Sequence, residues 1–244
     1  MSAFSFPIRT LVAEDVATLM SGSPEVARAT ASDLAVKGSA AAQALLGQML
    51  LDAFGGPADP AAALGWFRKA AEAGEPMALN MVGRCHENGW GVAADIVIAA
   101  DWYRRAAEQG GDWGMYNHAT RLMLGDAGPV DRAGALAWFQ KAAALGHAKS
   151  INVLGGFYED GWEVERDLAQ AKECYQRAAD GGDFRGHFNL GRALASEGDI
   201  SGALARFEAA ATTATPAFIA KMVALLRTAP IDAYRALAER LAAG

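Results

Sequence analysis

The sequence predicts an all-α protein, a solenoid of helix-turn-helix repeats, and three observations carry that expectation. Alanine supplies 56 of the 244 residues beside 27 Gly. Alanine is small and a strong helix former, so this composition builds closely crossing helices rather than a large sheet. A single period of 36 residues runs through most of the chain, and self-similarity at such a period is the mark of a repeat array. Within each period, small and aromatic positions recur at helical spacing.

The columns of the repeat are explicit. Gly47, Gly83, Gly155 and Gly191 share one register, with Ala119 on the missing rung. Trp66, Trp102 and Trp138 share another, which Cys174 continues, and beside them run Phe67, Tyr103, Phe139 and Tyr175. Ala70, Ala106, Ala142 and Ala178 follow, and Gly74, Gly110, Gly146 and Gly182 close each unit. Asp59, Asp95, Asp131 and Asp167 precede the second apolar run of each unit and read as helix N-caps, with Pro60 at a first-turn position. The closing glycines fit the left-handed position that ends that helix. Ala63, Ala99, Ala135, Ala171 and Ala203 mark helix crossings, and the aromatic columns fill the space between units.

Taken in chain order, Leu11 to Met20 is expected as a short helix, and Pro24 to Val36 as a partial unit. First helices are expected over 40–53, 76–88, 112–124, 148–160 and 184–196, second helices over 60–73, 95–109, 131–145, 167–180 and 199–213. Phe207 follows Tyr175 by 32 residues rather than 36, so the fifth unit has lost its long turn. Runs with Phe218, Met222, Val223 and Leu226, then Ile231, Tyr234, Leu237 and Leu241, cap the other end. The organisation is an N-terminal cap over 1–37, five repeats over 38–215 and capping helices over 216–244.

Composition narrows the partners. The net charge is −6, with 22 Lys+Arg against 28 Asp+Glu, which offers no overall basic footprint for nucleic acid. No apolar run approaches the ~20 residues that span a bilayer, and Arg9, Glu14 and Asp15 interrupt what would have to be a signal peptide. Cys85 and Cys174 are too few for a disulfide framework, so the expected setting is the reducing cytoplasm.

One unit read through, Ala78-Leu79-Asn80-Met81-Val82-Gly83, then Asn88-Gly89-Trp90-Gly91-Val92, Asp95, Ala99, Trp102-Tyr103 and Ala106-Ala107-Glu108-Gln109-Gly110, resembles the Sel-1-like repeat. That family is a relative of the tetratricopeptide repeat with a longer turn in each hairpin. The resemblance covers about residues 38–215, four complete units and a shortened fifth. The third unit departs from it with Ala119 for Gly and with Asp126-Ala127-Gly128-Pro129 in its turn, which puts local turn shape in question. The resemblance implies a right-handed superhelix whose first helices line a concave groove, and an adaptor or scaffold role. Some secreted relatives carry a disulfide in each repeat, and those paired cysteines are absent here. Short bacterial proteins similar to this family can be encoded next to iron-uptake receptors and iron-dependent dioxygenases, so the resemblance points to iron-uptake-related proteins as partners to try.

Helix geometry projects Asn80, Arg84 and Glu87 of the second unit into that groove, with Trp113, Tyr116 and Thr120 of the third, Lys149, Asn152 and Glu159 of the fourth, and Arg185, Phe188 and Arg192 of the fifth. Asn can hydrogen-bond a peptide backbone, Arg and Lys can hold a carboxylate, and the aromatics can cover an apolar side chain. The expected ligand is therefore a protein or peptide, for instance an acidic tail or C-terminus. Against this stands a solvated wall with aromatics packed between repeats. Trp90 and Trp162 hold one turn position two repeats apart and are expected to fold back over their own hairpins. His86, His118, His147 and His187 hold four different repeat positions without ligand spacing. No phosphate loop, dinucleotide fingerprint or nucleophile elbow occurs, so no catalytic residue, metal or cofactor is assigned. The alternatives are an immunity or inhibitor protein that masks an enzyme, and a hydrolase.

Overall fold

The computed structural model describes residues 22–243, so the expected helix over Leu11–Met20 lies outside the described residues. Among the described residues there are thirteen α-helices and no strand: α1 Pro24–Val36, α2 Ala40–Leu51, α3 Pro60–Glu72, α4 Pro76–Asn88, α5 Ile96–Glu108, α6 Asp112–Leu124, α7 Arg132–Ala144, α8 Ala148–Asp160, α9 Leu168–Asp180, α10 Phe184–Ser196, α11 Ile200–Thr213, α12 Pro216–Arg227 and α13 Asp232–Ala243. The helices meet the expected spans within one or two residues. α2 stops at Leu51 rather than 53 because the chain turns there, with Ala53 at φ +55°.

The aspartate column joins the two helices of a hairpin as well as starting the second. Asp59 Oδ1 accepts from the Ala62 N–H at 2.9 Å, Asp95 from Val97 and Ile98 at 2.9 and 3.0 Å, and Asp167 from Ala169 and Gln170, both at 2.9 Å. Their own N–H groups, with that of Asp131, reach back to the last turn of the first helix. Asp59 donates to the Leu50 carbonyl, Asp95 to His86, Asp131 to Leu122 and Asp167 to Tyr158, at 2.7–3.0 Å. Asp59, Asp95 and Asp167 thus satisfy orphan groups at one helix's end and the next one's start. Gly110, Gly146 and Gly182, all near φ +84°, turn the chain out of α5, α7 and α9.

The packing inside a hairpin rests on one contact. A Cβ on Gly47 would lie 2.7 Å from Cε1 of Phe67, one on Gly83 2.6 Å from Cε1 of Tyr103, and one on Gly191 2.7 Å from Cε1 of Phe207; Gly155 faces Tyr175 in the same way. These rings are at most 3% exposed, so each glycine is a seat for a buried ring. The alanine column at Ala63, Ala99, Ala135, Ala171 and Ala203 is likewise buried, which lets paired helices cross closely.

The chain forms two compact units, the first ending at Asp131 and the second starting at Arg132. In the first, α1 to α6 pack in sequence order, and α4 and α6, the first helices of successive repeats, also touch. In the second, α7 to α11 pack in order, α8 lies beside α10, and α13 packs on both α12 and α11. Phe207, Met222, Val223, Leu226, Tyr234 and Leu237 form the core under that end. No helix of the described residues is long and apolar enough to cross a membrane.

Gly83→Ala is expected to destabilise the chain by about 1–3 kcal/mol, because a methyl group there displaces the buried Tyr103 ring. At roughly 2–4 °C per kcal/mol for a chain of this size, the loss is measurable by thermal denaturation. Gly65→Ala, in the exposed middle of α3 with nothing within 4 Å, is expected to add about 0.4–1 kcal/mol instead. Equal melting of Gly83→Ala and the wild type would contradict the ring-seat account.

Candidate partner-binding faces

In the first unit the face is built by α4 and α6. Asn80, only 2% exposed, accepts through Oδ1 from Nδ2 of Asn117 at 2.8 Å. One turn further along α4, Arg84 lies half-buried with its guanidinium 5.1 Å over the Trp90 ring. Glu87 accepts from the hydroxyl of Tyr103 and pairs with Arg121 at 3.5 Å. On α6, Trp113 and Tyr116 meet edge to face at 6.3 Å. Thr120 gives its hydroxyl proton to the Tyr116 carbonyl at 2.8 Å, so that oxygen belongs to its own helix.

The second unit repeats much of this two periods later, on α8 and α10. Asn152, 8% exposed, accepts from Nδ2 of Asn189 at 2.9 Å. Glu159 accepts from the Tyr175 hydroxyl and from Arg192 at 3.1 Å, and Arg192 also donates to Oδ1 of Asn189 at 3.3 Å. Lys149 is half-buried at the start of α8. Arg185 is exposed, its guanidinium 4.5 Å from the Phe184 ring centre. Phe188 packs 5.7 Å from Phe207 and 5.3 Å from Phe218, which makes it the edge of a core more than a free contact.

The structure therefore sorts the twelve projected positions. Asn80 and Asn152 are clamps between neighbouring first helices, Glu87 and Glu159 are acceptors fixed by buried phenols, and Arg84, Tyr116, Arg185 and Arg192 present the accessible cations and aromatic edge. Sequence reasoning missed Asn117, Asn189, Arg121 and the two tyrosine hydroxyls. The signal was present, because Asn80/Asn152, Glu87/Glu159, Tyr103/Tyr175 and Asn117/Asn189 are each 72 residues apart, twice the basic period. Burial, then the adjoining glutamate, pushes both phenols well above the ordinary tyrosine value, so they donate and do not ionise.

His86, His147 and the two thiols have structural places. Burial and then the neighbouring Arg68, whose Nη2 is 3.3 Å from Nε2, hold His86 below its ordinary value. His147 is buried and accepts through Nδ1 from the Ser150 N–H at 3.3 Å, capping α8. Cys85 is a buried free thiol pushed up to about 11 by burial, and Cys174 is buried, free and raised for the same reason. Trp90 folds back on the first unit's core, while Trp162 is edge-on to Phe157 at 6.1 Å and 43% exposed, with Arg132 over its ring. Among the described residues no His/Cys/Asp/Glu group has the geometry to hold a metal ion.

The Sel1 repeat profile matches residues 40–75, 76–111, 114–147 and 148–183, together more than half of the chain. No curated protein matches the sequence. Among solved structures, the Sel1 repeat protein from Oxalobacter formigenes is similar at 25% identity and a TM-score of 0.79, covering 94% of this chain and 96% of that one. The protective antigen c5321 of uropathogenic Escherichia coli, described as displaying an SLR fold, is 26% identical with a TM-score of 0.66, covering 90% of this chain and 48% of its own. The immunity protein Pa5087 from Pseudomonas aeruginosa shares the fold at 18% identity and a TM-score of 0.58, covering 84% of this chain and 80% of its own.

Burial lowers the pKa of His86, His118 and His187 from 6.5. The folded state thus prefers the neutral rings. Their contribution to stability is complete above 6.5 and is lost as the pH falls through the lowered folded values. Urea denaturation at a series of pH values is expected to show a falling midpoint on acidification through that range. His86→Leu, which restores the residue type of Leu50, Leu122 and Leu194, is expected to make the slope shallower. An unchanged slope would remove His86 from the account.

Proposed function

The chain belongs to the Sel1 repeat family, and on that premise we propose that it is a non-enzymatic adaptor or scaffold that binds a protein or peptide through the faces of its first helices. Those faces are α4 with α6 in the first unit and α8 with α10 in the second. The observation that carries this reading is the recurrence, two periods apart, of a buried Asn–Asn clamp beside a phenol-fixed glutamate that pairs with an arginine. These fixed polar groups frame Arg84 and Tyr116 in one unit and Arg185 and Arg192 in the other, and those arginines and the aromatic edge suit another chain's carboxylates and apolar side chains. The fitting partner is an acidic tail or a C-terminal segment. Two buried free thiols fit a reducing, cytoplasmic setting.

A second reading is an immunity-type protein that masks an enzyme. Its support is that the immunity protein Pa5087 is built on the same fold. The two readings part on what the partner is and whether its activity falls on binding.

The test is affinity capture from the source cells followed by measured affinity for what is captured, with wild type and the triple variant Tyr116→Ala, Arg185→Glu, Arg192→Glu. Truncating or reversing central contacts commonly costs about 2 kcal/mol or more at a hot spot, so the variant is expected to bind at least ~10-fold more weakly. Its thermal midpoint is measured alongside, because Arg192 also pairs with Glu159 and Tyr116 meets Trp113 edge to face, and a loss of affinity counts only in a variant that keeps the fold. Unchanged affinity would move the binding surface elsewhere.

A further inference from the structure

The first unit contains a cleft of about 400 Å³ between α5, α6 and the turn that follows α6. It shares no residue with the twelve positions on the first-helix faces, and the repeat itself shows what is unusual about it. One period earlier and one period later, the same places hold apolar side chains. Ala100 on α5 corresponds to Leu64 and Leu136, both at most 9% exposed. Gly128 in the turn corresponds to Val92 and Val164, both half-buried. His118 stands for Val82 and Leu154, and Arg121 for Cys85 and Phe157, all four of which are buried. Two side chains have been cut back and two core positions made polar in the same small volume. A Leu-to-Ala change in a core commonly costs about 2–5 kcal/mol, and buried polar groups add to that. Losses concentrated at one spot of an otherwise regular array mark a site that stability did not shape.

The first hairpin indicates what fits. Two periods upstream, its turn carries the same Gly-Pro pair, Gly56-Pro57 for Gly128-Pro129, and again lacks the valine. There the gap is filled by Arg28 of α1, whose Nη1 donates to the Pro57 carbonyl at 3.0 Å and lies 2.9 Å from where a Gly56 Cβ would be. Arg28 is at the position of Ala100. A Cβ on Gly128, by contrast, meets no atom within 4 Å. The third turn thus has the glycine and proline of an arginine-filled turn, but α5 supplies only a methyl group.

The charges agree. Arg104 at the wall is held by Asp101 and Glu108, both at 2.6 Å, and Arg121 by Asp126 at 2.8 Å and Glu87 at 3.5 Å. Asp131 also lines the cleft. Asp101 and Asp131 line the cleft with Arg104 and Arg121, while Glu108, Asp126 and Glu87 back those arginines from outside the lining; burial, then the nearby Arg104, holds the His118 ring below its ordinary value. A further cation is favoured there, and an anion is not. Val97 and Leu122 supply apolar wall, which suits the planar, weakly hydrated guanidinium better than an ammonium.

We propose that the cleft formed by α5, α6 and the Gly128-Pro129 turn is a receptor for a guanidinium group, the arginine side chain of a partner or a free arginine-like molecule. The whole chain, labelled for NMR, is titrated with N-acetyl-arginine amide, free arginine, N-acetyl-lysine amide and acetate. Saturable shifts at Ala100 and Gly128 are expected with the arginine probes, with the lysine probe at least ~10-fold weaker. Blocked arginine binding as tightly as free arginine assigns the site to a partner's side chain, and tighter binding of free arginine assigns it to the small molecule; either supports the site. Ala100→Arg, which recreates the Arg28 arrangement within the chain, is expected to abolish the shifts and raise the denaturation midpoint. Gly128→Val, which restores the neighbouring repeats' residue, is expected to weaken binding at least ~10-fold and decides the matter even if Ala100→Arg folds poorly. Absence of saturable arginine binding, preferential binding of acetate, or arginine binding untouched by Gly128→Val would overturn the proposal.

Discussion

The seat of one aromatic ring on one glycine is the contact from which the rest of four of the five hairpins follows; the third carries Ala119 at that place. A side chain of any size on Gly47, Gly83, Gly155 or Gly191 would push the second helix away, and the alanines at the crossing would then lose their close approach. The same contact also places chemistry. Where the ring is Phe67 or Phe207 it only fills space, but where it is Tyr103 or Tyr175 its hydroxyl reaches Glu87 or Glu159 on the first helix. Core packing therefore holds the carboxylates of the first-helix faces in place.

Helix positions were legible in the sequence because they are written in residues with local physical duties. An aspartate that caps one helix and ties back to the previous one, and a glycine that turns the chain at positive φ, act within a few residues of themselves. A linear period finds them. The coupling of hairpins into two compact units depends on contacts that no single column encodes.

The candidate faces were legible only in part. Period and helix geometry place Asn80 and Asn152 on the first-helix face, but that face also adjoins the next repeat's first helix. Only the structure shows that Asn117 and Asn189 take up these amides. Trp90 and Trp162 make the same point, since they share a repeat position and differ in exposure. Arg84 covers Trp90 from the same hairpin's first helix, whereas Arg132, which lies over Trp162, comes from the start of α7. A repeat position fixes where a side chain starts and leaves its neighbours to decide where it ends.

That distinction gives the departures from the repeat their value. In an array whose stability is roughly a sum of unit and nearest-neighbour terms, a loss in one hairpin is not amplified along the chain. Such a scaffold can carry a locally poor solution. The turn from Asp126 to Asp131 reads in sequence as a mere change of turn shape. In the structure it coincides with Ala100 for leucine, Arg121 for a buried apolar residue and a cleft among carboxylates. Four positions on three segments have moved toward polarity and open volume together. Drift in the turn alone does not account for Ala100, which lies on α5, whereas Arg121 of α6 is itself tied to the turn through Asp126. Their joint departure sets this cleft apart from the regular columns of the stack.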